Sequence, residues 1–352
     1  MRSDEIIFLL GAGSSYDAQI PISSEMINEL ENLIEINNEG VKYKELYYCL
    51  KSGIQYGFGI TNKKDIMNIE ILVNTMDELI KSYEHPIYPF VGSWIPRLTE
   101  LAGKDFSNIK NFKAFIIKQL AKWMSIPHTE LCDYYYGLIK FQKEVKFTLN
   151  IFTLNYDQCL EKQCQKHSIE YNRGFNNYIW EYKKFIELES DSEKINIYKL
   201  HGSIDWEINE KGIEEKDGVI DNHAIIFGTS YKLQYIDPFL FLFYEFRRQT
   251  LEMATKIINC IGYSFNDDHI NGILGQALSK DKSRKIISIQ PLSGVGNNNE
   301  LIEKEKDRIK TKLNLKNTEN IEVINQSAKK FLVNDISKEY YERFSGANEV
   351  PY

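Results

Sequence analysis

The sequence predicts an α/β protein: a parallel sheet covered by helices on both faces, interrupted after its first strand by a large all-helical insertion. Three observations carry this. The apolar run Ile6–Leu10 stops at Gly11-Ala12-Gly13, as a buried strand feeding a glycine turn does. A long block then shows only the three- and four-residue apolar spacing of helices. Beyond it, short strand-like runs alternate with amphipathic helical stretches, the order of βαβ units.

After the first strand, helices are expected at Ser23–Asn37, Val41–Gly53, Lys64–Tyr83, Asn108–Met124 and Thr129–Glu144. In the third, Ile66, Ile69, Leu72, Val73, Met76, Leu79 and Ile80 form one apolar face. His85–Pro96 holds three prolines among aromatics and suits an ordered connector. Strands return at Lys146–Leu154, Asn196–Leu200, Ala224–Gly228, Lys256–Gly262, Lys285–Gln290 and Asn320–Asn325. Helices are expected between them at Gln158–Lys166, Asp237–Thr255, Asp267–Ser279 and Asn299–Leu313. Because the first strand precedes the helical block, residues 1–24 and 146–352 are expected to form one core, with 25–145 inserted into it. The mixed charges of Glu300–Lys312 fit a solvated helix face.

Composition sets the outer limits. The 352 residues carry 43 basic and 50 acidic side chains, a net charge of −7, so no polybasic field is available for a phosphate backbone and direct nucleic-acid binding is not expected. The longest apolar run, Phe239–Tyr244, is far short of a membrane span, and the opening MRSDEIIFLL lacks the build of a signal peptide. Five cysteines with no Cys-x-x-Cys pair suit reduced thiols and no metal site. The expected setting is cytoplasmic.

Four segments carry candidate chemistry, all at the C-terminal ends of expected strands, where ligands bind in open α/β sheets. Gly11-Ala12-Gly13-Ser14-Ser15 suits a phosphate-binding turn, with backbone amides and a following helix aimed at a pyrophosphate, or a tight turn with no ligand. It has neither the third glycine of a dinucleotide fingerprint nor the lysine of a P-loop. In Thr153-Leu154-Asn155-Tyr156-Asp157, Asn155 and Asp157 alternate with apolar neighbours and point the same way; Asp157 is alternatively the cap of the next helix. In Lys199-Leu200-His201-Gly202-Ser203-Ile204-Asp205-Trp206, His201 is a candidate proton acceptor beside a glycine turn. Gly262-Tyr263-Ser264-Phe265-Asn266-Asp267-Asp268 offers small polar groups for ribose hydroxyls. His85, His128, His167, His223 and His269 are left without a role.

In this order the motifs resemble those of the Sir2 (sirtuin) superfamily of NAD-consuming enzymes. Its GAG-x-S turn matches Gly11, Ala12, Gly13 and Ser15; its T-x-N-x-D strand end matches Thr153, Asn155 and Asp157; its catalytic HG matches His201 and Gly202. The resemblance implies a Rossmann-like fold with NAD+ bound. Protein-deacylating sirtuins continue Gly-Ile-Pro-x-Phe-Arg, whereas Ile20-Pro21 is followed here by Ile22-Ser23-Ser24. They also carry a four-cysteine zinc ribbon after the histidine, where this chain has Asp205-Trp206-Glu207 and a charged hairpin, so no ribbon and no metal are expected. The HGS-x-DW and GYSF-x-D segments are similar to those of bacterial Sir2-like NADases of anti-phage defence. That likeness implies NAD+ as substrate, hydrolysed in abortive infection, in a homo-oligomer or with a HerA-type ATPase. It gives Asn155, Asp157 and His201 as catalytic, and Gly11, Ala12, Gly13, Ser15, Thr153, Gly202, Gly262, Ser264 and Asp268 as binding NAD+. The alternatives are an NAD-dependent protein deacylase and a non-catalytic subunit that senses NAD or ADP-ribose.

Overall fold

The structure, a computed structural model, describes residues 2, 4–60, 67–84, 96–186, 194–210, 212–218, 220, 222–227 and 237–344. The expected connector up to residue 95, with His85, the first turn of the expected helix at Lys64, and Gly228 lie outside the described residues. The chain divides into two compact units: Met1–Ile20, Ser125–Ile225 and Leu233–Tyr352 form one, and Pro21–Met124 with Ile226–Lys232 the other.

The first unit is built on a seven-stranded sheet. Its strands are β1 (Ile6–Leu10), β2 (Leu149–Thr153), β3 (Tyr171–Asn172), β6 (Ile195–Lys199), β10 (Ile257–Ile261), β11 (Lys285–Gln290) and β12 (Ile321–Asn325), ordered β12-β11-β10-β1-β2-β6-β3 with every pair parallel. All five residues of β1, β6 and β10 are buried, as a parallel sheet covered on both faces requires of runs such as Ile-Ile-Phe-Leu-Leu. β1 lies in the middle: the chain winds from it to β2 on one side and returns to β10 on the other, which makes its C-terminal end the switch point. Helices Cys159–Lys166, Phe239–Leu251, Asp268–Lys280 and Asn298–Lys312 follow the expected alternation within two residues at each end, except that the second stops at Leu251, four residues short of the expected Thr255.

A second sheet was not expected. It is antiparallel, of β4 (Phe175–Asn176), β5 (Ile179–Trp180), β7 (Gly202–Asn209), β8 (Gly212–Glu215) and β9 (His223–Ile225), ordered β4-β5-β8-β7-β9. The stretch read as the parallel strand Ala224–Gly228 is thus β9, paired antiparallel to β7. Between Ser125 and β2 the chain makes a 3-10 run, Thr129–Tyr135, and a helix, Tyr136–Val145, where one continuous helix was expected.

The second unit contains helices Ser23–Ile36, Lys44–Ile60, Ile69–Glu84, Pro96–Ala102 and Ser107–Trp123. Each long one buries its apolar stripe, for example Ile69, Leu72, Val73 and Met76, all fully buried, and Tyr43 stacks on Phe112 at 4.8 Å. Among the described residues no helix is long and apolar enough to cross a membrane.

Candidate functional site

Strand register brings the four motifs to one edge. Leu10 is paired with Thr153 and with Ile261, and Thr153 with Lys199, so Gly11, Leu154, Leu200 and Gly262 leave the sheet at one level. The ladder continues one step into the loops: Leu154 N donates to Leu10 O at 2.9 Å, Leu200 N to Thr153 O at 2.9 Å and Gly11 N to Ile261 O at 3.0 Å. Asn155 and His201 each come two residues after the paired Thr153 and Lys199, in the loops that leave the neighbouring strands β2 and β6.

The glycines serve the protein's own backbone. A Cβ on Gly11 would meet Gly262 O at 2.6 Å, one on Gly13 would meet Gly262 Cα at 3.0 Å, and one on Gly262 would meet Ser14 N at 2.1 Å. Gly262 also has φ +63°, the left-handed region that glycine enters without steric cost. Gly13 N donates to Gly262 O at 3.0 Å. The amides of Gly11 and Gly13, expected to face a ligand, are donated to backbone carbonyls at the end of β10, those of Ile261 and Gly262. Nor does an α-helix follow the turn directly. Two 3-10 turns, Ala12–Ser14 and Tyr16–Ala18, come first, and the next helix begins at Ser23. Gly202 is likewise a clearance position, with φ +84° and a hypothetical Cβ 2.0 Å from Ala224 O across the β7–β9 pair.

A buried polar network fixes Asn155. Its Nδ2 donates to Ser14 Oγ at 3.0 Å and to Ser15 Oγ at 3.1 Å, and its backbone N–H donates to Thr153 Oγ1 at 3.1 Å. Both serine hydroxyls are also within hydrogen-bond distance of Tyr135 Oη, at 2.9 and 2.8 Å, and Tyr134 Oη donates to Ser14 O at 2.6 Å. Burial raises the Tyr135 hydroxyl well above its ordinary pKa, so it stays neutral. With both amide hydrogens committed, the side-chain carbonyl of Asn155 is the group left to accept a bond from a ligand. Tyr135 was missed by sequence reading, because nothing in Tyr134-Tyr135-Tyr136 marks which tyrosine turns toward the glycine loop.

Asp157 is buried, and its Oδ1 accepts from Cys159 N at 2.9 Å, which is the helix-start role held open above. Beneath it lies a buried charge cluster. Lys199 Nζ bonds Glu161 Oε1 at 3.0 Å and the Asp157 carbonyl; Arg173 pairs with Glu161 at 3.2 Å, with Asp205 at 2.7 Å and with Glu215. Burial pushes both the Asp205 and Glu215 carboxyls up. At Asp205 the Arg173 guanidinium prevails and the pKa falls below the usual value, whereas at Glu215 burial prevails and it rises.

His201 is 7 % exposed, between the rings of Tyr156 and Phe243, with its Nε2 3.3 Å from Asp267 Oδ2. Asp267, 5 % exposed, caps helix Asp268–Lys280 through Oδ1, which accepts from His269 N at 3.0 Å and Ile270 N at 3.3 Å. Sequence reading chose the neighbouring Asp268. That residue is exposed, and so are Ser264 and Ala12; the Ser264 carbonyl accepts from Arg308 at 3.0 Å. The signal that could have singled out Asp267 is its position one residue before an amphipathic helix.

Among the described residues no group of three or more His, Cys, Asp or Glu is placed to hold a metal ion. A comparison of the whole chain with curated proteins finds no match. Residues 149–324 match the SIR2-like domain, a span that includes Asn155, Asp157, His201, Gly262 and Asp267 and amounts to half of the 352 residues. With an all-parallel sheet and the four motifs gathered at its switch point, the chain belongs to the SIR2-like domain family.

Proposed function

We propose that this protein hydrolyses the nicotinamide–ribose bond of NAD+, giving nicotinamide, ADP-ribose and a proton. The observation that carries the proposal is the pinned amide of Asn155, whose carbonyl is the acceptor left over, in the loop that leaves β2 beside β6, the strand whose following loop carries His201. Such a bond breaks through an oxocarbenium-like state, so the site must orient the ribose, hold the leaving group and deliver water.

In this reading Asn155 Oδ1 accepts a hydrogen bond from the attacking water, and His201 takes its proton or that of a ribose hydroxyl. Asp157 has Oδ1 committed to the Cys159 amide, which leaves Oδ2 to accept from the nicotinamide carboxamide. Thr153 holds the Asn155 backbone. Ala12 and Ser15 are proposed for the pyrophosphate, and Ser264 and Asp268 for the adenosine half. Lys199 and Arg173 are not free to serve the phosphates, since both are buried in pairs with carboxylates. The wider role proposed, NAD+ depletion in anti-phage defence by a cytoplasmic homo-oligomer or together with a HerA-type ATPase, rests on the resemblance of the motifs alone.

Purified chain incubated with NAD+ and followed by chromatography tests the reading. Wild type should release nicotinamide and ADP-ribose, and Asn155→Ala and His201→Ala should stop release while keeping the wild-type circular dichroism. Release by His201→Ala at the wild-type rate refutes the assignment. NAD+ bound calorimetrically but unchanged after hours would favour a sensing subunit, and product formed only with an acetyl-lysine peptide would favour a deacylase.

A further inference from the structure

Asp267 is a buried carboxylate whose two oxygens face different partners. Oδ1 is fixed by the first amides of helix Asp268–Lys280, and Oδ2 faces His201 Nε2 at 3.3 Å. The loop that carries it is braced from several sides. Tyr263 Oη donates to Asn271 Oδ1 at 2.9 Å, Asn271 Nδ2 donates to Phe265 O at 2.9 Å, and the Gly11–Gly13 turn locks its start at Gly262. A carboxylate held this way has a fixed direction, set by the helix rather than by the histidine.

We propose that Asp267 is the positioning residue for His201: it holds the imidazole as the Nε2–H tautomer, leaving Nδ1 as the basic nitrogen, and steadies the imidazolium formed when that nitrogen takes a proton. This rests on the reading of His201 as general base. At 3.3 Å the contact is an ion-pair distance and not yet a formed hydrogen bond, which in a charge-assisted pair lies at 2.7–2.9 Å. The helix cap makes the arrangement directional. In Asp267→Asn the oxygen must stay on the helix amides, so the NH2 takes the place of Oδ2. It then donates to Nε2 and forces the Nδ1–H tautomer. Asn caps a helix as well as Asp does, so the fold is kept.

The test uses the full chain labelled with 15N-histidine, wild type beside Asp267→Asn and Asp267→Ser, with the His201 signals among the six histidines assigned from His201→Gln. Long-range 15N spectra should show the proton of neutral His201 on Nε2 in wild type and on Nδ1 in Asp267→Asn. In steady-state NAD+ hydrolysis, kcat of Asp267→Asn should fall by at least about 100-fold with KM within about threefold; a wrong tautomer costs about 10⁴ in kcat in a serine-protease triad. Asp267→Ser, which still caps the helix but offers no charge, should lose about 10-fold or more. The same tautomer in wild type and Asp267→Asn, or turnover at the wild-type rate by Asp267→Ser, overturns the proposal. If wild type leaves NAD+ intact, the reaction assigned above falls, while the tautomer spectra still decide the pairing.

Discussion

Replacing Gly262 by alanine tests whether the glycine turn serves the backbone or a ligand. At φ +63° an alanine gives up about 1–2 kcal/mol for the left-handed conformation alone. Its Cβ would lie 2.1 Å from Ser14 N and 2.3 Å from Gly13 C, backbone atoms that cannot turn aside as a side chain would. Parting the two loops costs about 1–3 kcal/mol of overpacking strain. It also breaks the bond from Gly13 N to Gly262 O, for about 1 kcal/mol more. The sum is about 3–6 kcal/mol, a large share of the 5–15 kcal/mol typical of a folded domain. Equilibrium urea unfolding followed by circular dichroism measures it. Gly53→Ala is the control: Gly53 lies inside helix Lys44–Ile60 with open space around its Cβ position, and the change should stabilise by about 0.5–1 kcal/mol. If Gly262→Ala lowers stability by less than about 1 kcal/mol while weakening NAD+ binding, the glycines are a ligand cradle and the reasoning above is wrong.

Two further outcomes follow from the polar groups. Tyr135→Phe strips a buried hydroxyl from both serines that hold Asn155 and should lower stability by about 1–3 kcal/mol, read from the same urea midpoint. It should also reduce nicotinamide release at least tenfold, whereas undiminished release would separate the serine–tyrosine network from the role of Asn155. In the charge cluster, the folded-state pKa of Asp205 is lowered, so its ionised form stabilises the fold above the ordinary carboxylate pKa and that contribution vanishes as pH falls through the folded value. The pKa of Glu215 is raised, so its protonated form is preferred by the fold at low pH and that preference is lost as pH rises through the folded value. Melting curves at pH 7 should therefore show Asp205→Asn less stable than wild type and Glu215→Gln equal to it or more stable, with both differences shrinking toward pH 3; the opposite order refutes these directions.

The parallel sheet was legible because β1, β6 and β10 are unbroken apolar runs buried on both faces, a pattern that survives without knowledge of the partners. The second sheet was not legible. β4 and β5 are two residues each, too short for any periodicity, and β9 has the same apolar look whether its neighbour runs parallel or antiparallel. At the site, strand ends and glycines located the edge, and Asn155, Asp157, His201 and Gly262 are all there. What escaped is the identity of the glycines' partner, since close approach by a ligand and by a second loop make the same demand on sequence. Tyr135 and Asp267 escaped for a different reason: each stands beside a chemically identical neighbour, and only the local turn decides which side chain faces inward.

The central position of β1 also sets the order in which the molecule can be completed. Its neighbours in the sheet, β2 and β10, are encoded far downstream, so a chain growing from its N-terminus must carry Ile-Ile-Phe-Leu-Leu with one edge open until Ile257–Ile261 has left the ribosome. At roughly 5–20 residues per second that wait is on the order of tens of seconds. A segment left half-paired for that time is here an unbroken apolar strand, the kind of segment that holding chaperones cover. The same delay means that the edge bearing Asn155, His201 and Asp267 cannot assemble on a nascent or truncated chain, so any activity assigned to it belongs only to molecules whose synthesis has run past β10.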